Sequence, residues 1–209
     1  MVINTTAYTG VYKAETESEH AHLLSHLALA NIANICADIG SVLIHISSDY
    51  VFDGESLIFY KEDDETNPQG VYGATKLAGE IAVQESGCDY LIIRTAWLFS
   101  EFGNNFLKTM LRLGQERDLL SIVSDQFGSP TYAQDLARAI SDILLKGLWD
   151  KKVFGVYHYS GGNPCSWFEF AKCIFLAAAA RGIETPKMLT AIKLSDYITP
   201  AKRPMYAVI

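Results

Sequence analysis

Ser41-Val42-Leu43-Ile44-His45-Ile46-Ser47-Ser48-Asp49-Tyr50-Val51-Phe52-Asp53-Gly54 runs from an apolar stretch straight into a polar one. The first half reads as a strand buried on both faces, because its apolar residues are nearly continuous rather than alternating. Tyr90-Leu91-Ile92-Ile93-Arg94 repeats that pattern. Between the two lies a polar loop to Asn67-Pro68-Gln69-Gly70, then helical spacing from Val71 to Glu85 that ends at Gly87. A buried strand, a helix and a second buried strand make a parallel pair joined by a crossover.

The same alternation extends in both directions. Val2-Ile3 reads as the tail of a strand, and Glu15 to Ile39 places Leu24, Leu27, Ala28, Asn31, Ile32 and Ile35 at helical intervals, with Gly40 as the stop. Downstream come a helix over Asn105–Arg117, a short strand over Leu119–Val123 and a helix over Ala133–Leu145. A strand at Val156–Tyr159 and a helix over Ser166–Arg181 follow. The fold class is α/β, a doubly wound, Rossmann-like parallel sheet with a small C-terminal lobe. The division expected is residues 1–147 for the sheet domain and 148–209 for the lobe.

Composition narrows the function. Apolar residues make up 49% and the net charge is −7, with the basic residues dispersed. A nucleic-acid binder needs a basic stripe, and none is present. No apolar run approaches the ~20 residues of a membrane span. Cys36, Cys88, Cys165 and Cys173 form no zinc pattern and read as reduced, buried thiols. His22 and His26 share a helix face without a carboxylate partner and read as solvated.

Chemistry concentrates in two places. Ser48 stands at the carboxyl end of a buried strand, where open α/β sheets bind ligands. Tyr72 and Lys76 stand four residues apart on a helix, on one face. An ammonium beside a phenol lowers its pKa and makes it a better proton donor to a carbonyl oxygen. Ser48 could hydrogen-bond the same oxygen. A lone Tyr-x-x-x-Lys pair is weak, since a chain this rich in both residues produces one by chance and it reads equally as a surface pair. The seryl strand end and the full string Val71-Tyr72-Gly73-Ala74-Thr75-Lys76-Leu77-Ala78-Gly79-Glu80 change the balance.

With those strings in view, the chain resembles the extended short-chain dehydrogenases/reductases, and among them the branch acting on dTDP-linked 4-keto sugars. The resemblance also rests on Asn4-Thr5-Thr6-Ala7-Tyr8-Thr9, Arg94-Thr95-Ala96-Trp97, Gly103-Asn104-Asn105-Phe106, Asp125-Gln126-Phe127-Gly128-Ser129-Pro130-Thr131 and Pro200-Ala201-Lys202-Arg203-Pro204. It implies Ser48, Tyr72 and Lys76 as catalytic residues. Ala7, Tyr8, Thr9, Tyr72 and Lys76 are implied as cofactor contacts, and Ser48, Asp49 and Trp97 as substrate contacts. By position alone, Trp97 also reads as core and Asp49 as a loop former. The implied reaction is reduction of dTDP-4-dehydro-L-rhamnose to dTDP-L-rhamnose by NADPH or NADH, in a cytoplasmic protein. A homodimer is compatible with it.

The chain also departs from that pattern. Ser48 stands where Thr is commoner, and Thr5-Thr6 where small apolar residues are usual. No Gly-x-Gly-x-x-Gly or Gly-x-x-Gly-x-x-Gly string occurs. The resemblance therefore implies that the chain starts at the family's fourth strand, without the turn that cradles the dinucleotide pyrophosphate, and stops early at the other end. Weak cofactor binding, an open sheet edge and self-association are the expectations. The residue that selects NADH or NADPH is not among these. A second reading is a non-catalytic regulatory protein similar to the β subunit of methionine adenosyltransferase, which shares the Ser-Ser-Asp-Tyr-Val-Phe-Asp-Gly string; a third is an inactive fragment.

Overall fold

The computed structural model describes residues 1–56, 58–146, 153–197 and 199–209. In chain order the elements begin with β1 (Val2–Asn4), α1 (Val11–Ala14), α2 (Ser18–His22), a π-helical turn (Leu23–Leu27) and α3 (Ala28–Asp38). Next are β2 (Leu43–Ser48), a 3-10 turn (Asp49–Val51), α4 (Val71–Glu85), β3 (Tyr90–Thr95) and β4 (Leu98–Phe99). Then come α5 (Phe106–Glu116), β5 (Leu119–Val123), β6 (Phe127–Gly128), β7 (Thr131–Tyr132) and α6 (Ala133–Leu145). The chain finishes with β8 (Gly155–His158), β9 (Cys165–Ser166), α7 (Trp167–Ala179), β10 (Met188–Ile192), a 3-10 turn (Leu194–Asp196) and β11 (Tyr206–Ala207).

The main sheet has the order β1-β2-β3-β8, all parallel. Helices cover both faces, which is why β2 and β3 are apolar along their lengths. On one face Leu43 and Ile92 pack with Leu29, Ala33 and Cys36 of α3 and Val83 of α4. On the other, Ile44, Leu91 and Ile93 meet Leu136 and Ile140 of α6. The sheet is the doubly wound parallel sheet that the alternation predicts.

The structure bears on two sequence expectations. The 147/148 boundary lies outside the described residues, and the packing crosses it in both directions. β8 completes the main sheet, whereas β5 leaves it to pair in parallel with β10. Met110 of α5 and Leu120 and Ile122 of β5 share a core with Ala171, Ile174 and Phe175 of α7. β5 buries only Leu120, Ile122 and Val123, and no residue of β10 is fully buried, so the pair forms a two-stranded ribbon with helices on one side rather than a sheet covered on both faces. Second, the thiols divide: Cys36 and Cys88 are buried, Cys165 is half-buried and Cys173 is exposed. Cys173 lies on the outward face of α7.

Candidate active site at the carboxyl end of the sheet

α4 is pinned at its start. Gly70 offers no side-chain cap, and Glu15, just beyond α1, accepts the Val71 N–H at 2.9 Å. Gly73 lets the first turn press on the 3-10 turn: a Cβ there would sit 2.1 Å from the Tyr50 carbonyl oxygen. Further along, Glu80 is held by Ser47 Oγ and by Arg94, whose Nη2 reaches its carboxylate at 2.8 Å, both partners being buried. Arg94 also lies over the Phe52 ring at 5.1 Å. Strand, helix and turn are thereby fixed to one another around Ser48, Tyr72 and Lys76.

Ser48 ends β2. Its hydroxyl accepts from Tyr50 N at 3.2 Å and donates to Asp49 Oδ1 at 2.9 Å. It also lies beside the Tyr72 phenol and opposes the rise in that group's pKa. Burial dominates nonetheless, with the Asp49 charge acting in the same direction, and Tyr72 is pushed up to about 12. The expected acidification of Tyr72 by Lys76 is thus not what the structure shows. The Lys76 amine points to the sheet instead, donating to the Ile46 carbonyl at 2.8 Å and facing His45 Nε2 at 3.3 Å. Burial brings Lys76 down to about 8, partly offset by Glu80.

Asp49 is buried, and its Oδ2 has no partner. Burial lifts its carboxyl to about 7 against the Ser48 hydrogen bond. Tyr50 packs edge-on against Tyr72, with ring centroids 5.3 Å apart. Of the Ala7–Thr9 segment, Tyr8 packs in the cluster that Tyr72 joins, and its hydroxyl donates to Glu17 at 2.7 Å, raising its pKa to about 12. Its backbone N–H is held by Ser25 of the π turn at 3.1 Å. Ala7 is half-buried and Thr9 exposed.

Trp97 has a positive φ of 46°, the only non-glycine in that region among the described residues. Such a backbone costs on the order of 1 kcal/mol or more and persists only where its surroundings enforce it. Here the indole stacks on Trp167 with centroids 3.4 Å apart, and Gly128 leaves room for it, since a Cβ there would fall 2.4 Å from the ring. Trp167 Nε1 donates to Gln126, whose amide donates to the Pro204 carbonyl at 3.0 Å. The structure therefore joins Ser48, Asp49, Tyr72 and Tyr8 in one cluster and sets Trp97 in a second, aromatic one.

A cavity of about 770 Å³ opens between α1, α5, β5 and α7, with Tyr12, Trp167, Tyr197 and Arg203 in its wall. That volume is in the range of small-molecule pockets. Arg203 lies 4.7 Å from the Tyr12 ring, and both Arg203 Nε and the Tyr12 hydroxyl are buried without partners. Arg203 is half-buried, and its enclosed Nε lacks a partner, a cost that an anionic ligand in the cavity would relieve. Another cavity, of about 300 Å³ between β3 and α6, is almost wholly apolar and lacks convergent polar groups. Sequence reasoning quoted Arg203 within a string but gave it no role, and passed over Tyr12 and Trp167. These residues are far apart in the chain, so no local spacing signals their convergence.

The pattern of the family described as "RmlD substrate binding domain" matches residues 1–209. The dTDP-4-dehydrorhamnose reductase of Salmonella typhimurium is 42% identical over 205 residues, which cover 98% of this chain and 69% of that protein. The Escherichia coli K12 enzyme of the same name is 41% identical over the same shares. Among solved structures, the Bacillus anthracis dTDP-4-dehydrorhamnose reductase in complex with NADP superposes with a TM-score of 0.90 at 40% identity. It covers 99% of this chain and 70% of its own. A family pattern matching the whole chain, together with relatives 42% and 41% identical along nearly all of it, shows that the chain belongs to the dTDP-4-dehydrorhamnose reductase family.

Proposed function

We propose that this chain reduces the 4-keto group of dTDP-4-dehydro-L-rhamnose to give dTDP-L-rhamnose, with NADPH or NADH as reductant. The observation that carries the reading is the meeting of Ser48 and Tyr72 at the end of β2; a separate cavity with the unpartnered Arg203 Nε in its wall supports it.

The residues present fit the nicotinamide end of the cofactor. Lys76 uses two of its hydrogen-bonding directions on Ile46 and His45 and keeps another for a ribose hydroxyl. Ala7, Tyr8 and Thr9 line the approach, and Tyr72 closes it. No glycine-rich turn occurs in the sequence, so no residue here is assigned to the pyrophosphate. When bound, the cofactor supplies the hydride that no side chain can provide.

The protein's own part is proton transfer and placement. Tyr72, as the neutral phenol, gives its proton to the C4 oxygen as that oxygen gains charge, which leaves a secondary alcohol and a phenolate. A pKa near 12 keeps the phenol fully protonated at neutral pH, ready to donate. Ser48 turns its hydroxyl from Asp49 to the same oxygen and stabilises the developing charge. Protonated Asp49 can then donate to Ser48 Oγ in return. Trp97 packs on the sugar ring, and Arg203 meets the diphosphate. The proposal includes a cytoplasmic homodimer and a division of labour: the sheet takes the cofactor, and the α5–β5–α7–β10 lobe takes the nucleotide sugar.

The test is NADPH consumption at 340 nm with dTDP-4-dehydrorhamnose, raising NADPH until the rate levels. Sugar-dependent oxidation that Tyr72→Phe abolishes is the expected result. No sugar-dependent oxidation in the parent protein refutes the reading and leaves a binding role.

A further inference from the structure

His22 closes α2, and His26 lies one turn on, inside the π-helical turn Leu23–Leu27. The reaction above uses neither ring. Their Nδ1 atoms face each other at 3.4 Å, with the rings edge to face and their centroids 4.6 Å apart. His22 is exposed and His26 half-buried, so the pair is reached from solvent. The separation is that of two ligands on one ion. A tetrahedral zinc holds imidazole nitrogens at about 2.0–2.1 Å, which sets two of them about 3.4 Å from each other. Burial, and then the neighbouring His22, lower the pKa of His26 and favour the neutral form that binds metal. Among the described residues no third His, Cys, Asp or Glu completes the shell, so water takes the remaining positions. Imidazole as the protein's only ligand type suits zinc, nickel or copper rather than magnesium or calcium, which take oxygen.

We propose that His22 and His26 form a two-ligand site for a late first-row divalent ion of the zinc, nickel or copper type, and that the bound ion clamps the π turn. What that turn holds gives the site its reach. Ser25, between the two histidines in the chain, is buried, and its Oγ accepts the Tyr8 N–H at 3.1 Å. Its carbonyl oxygen lies against α4, where a Cβ on Gly79 would come within 2.2 Å of it. The π turn is therefore the seat of Tyr8 on one side and of α4 on the other. Such turns within α-helices recur at functional sites. An ion joining residues 22 and 26 resists unwinding of the segment between them and so steadies the Tyr8 backbone from the solvent side.

Zn2+ is the probe, titrated calorimetrically into the full chain stripped of metal and carrying no affinity tag. One ion per chain is expected. His22→Gln and His26→Gln should each weaken binding about tenfold or more, because each removes one of two ligands. Cys173→Ser, which removes the exposed thiol, should leave binding unchanged. Saturating Zn2+ should slow hydrogen exchange at the Tyr8 amide about tenfold or more in the parent and not in His26→Gln. No binding up to about 1 mM Zn2+ overturns the proposal, as does binding that survives both substitutions. A bound ion that leaves Tyr8 exchange unmoved overturns it too. Should a variant fail to fold, imidazole nitrogen shifts of the 15N-histidine-labelled parent decide: two of the five histidines must move together at Nδ1 as Zn2+ is added. Neither substrate nor cofactor enters, so the outcome is independent of the reductase reading.

Discussion

Asp49 holds one carboxyl oxygen against Ser48 and leaves the other bare in a site closed to water. In the unfolded chain this group loses its proton near pH 4, but in the folded site only near 7. Between those values the folded state binds the extra proton, so the contribution of Asp49 to stability falls as pH rises and is flat above about 7. Asp49→Asn removes that loss. Its stability relative to the parent should grow from pH 4 to pH 7 by roughly 3 to 5 kcal/mol, read from thermal melts across that range. Trp97→Ala, which deletes a ring stacked at 3.4 Å, should raise the KM for the sugar nucleotide about tenfold with little change in kcat. At this scale the sequence shows Ser48, Tyr72 and Lys76 through spacing and resemblance. It does not show where the Lys76 amine points, because Ile46 and His45, which hold it, carry no sign of that role in the chain order.

Elements were the most legible part. α4 spans Val71–Glu85, α6 spans Ala133–Leu145 and β5 spans Leu119–Val123, as periodicity and stop residues predict. The interruption of the first long helix by a π turn was not legible. Its cause is tertiary, since the turn sets Ser25 Oγ to receive the Tyr8 N–H. The partner of β5 was equally hidden, because pairing with β10 is decided more than sixty residues away. Two substitutions test how α4 is seated. Gly73→Ala drives a methyl into the Tyr50 carbonyl and should cost about 1–3 kcal/mol in urea melts, with a fall in kcat as Tyr72 is displaced from Ser48. Arg94→Ala leaves Glu80 buried and unpaired and should cost about 3–5 kcal/mol by the same measure.

Over the whole molecule, the main sheet and the α5–β5–α7–β10 lobe meet through residues that neither part could place alone. β1 is the end strand of the sheet, and Ile3 on it is 43% exposed. Open strand edges invite pairing, so sedimentation velocity should show self-association that grows with concentration and that Ile3→Lys reduces. The sequence announced the alternating architecture but not this division, since the lobe joins residues 106–123 to residues 167–192 across the α6 and β8 segments of the main sheet. The paired indoles sit at that junction. Two indoles in near face-to-face contact, 10° from parallel, share their electronic excitation, so they should give a paired-sign band in near-ultraviolet circular dichroism. Any sugar that slides against Trp97 would perturb that band, and the protein thus carries its own optical gauge of substrate arrival, readable without label or coupled assay.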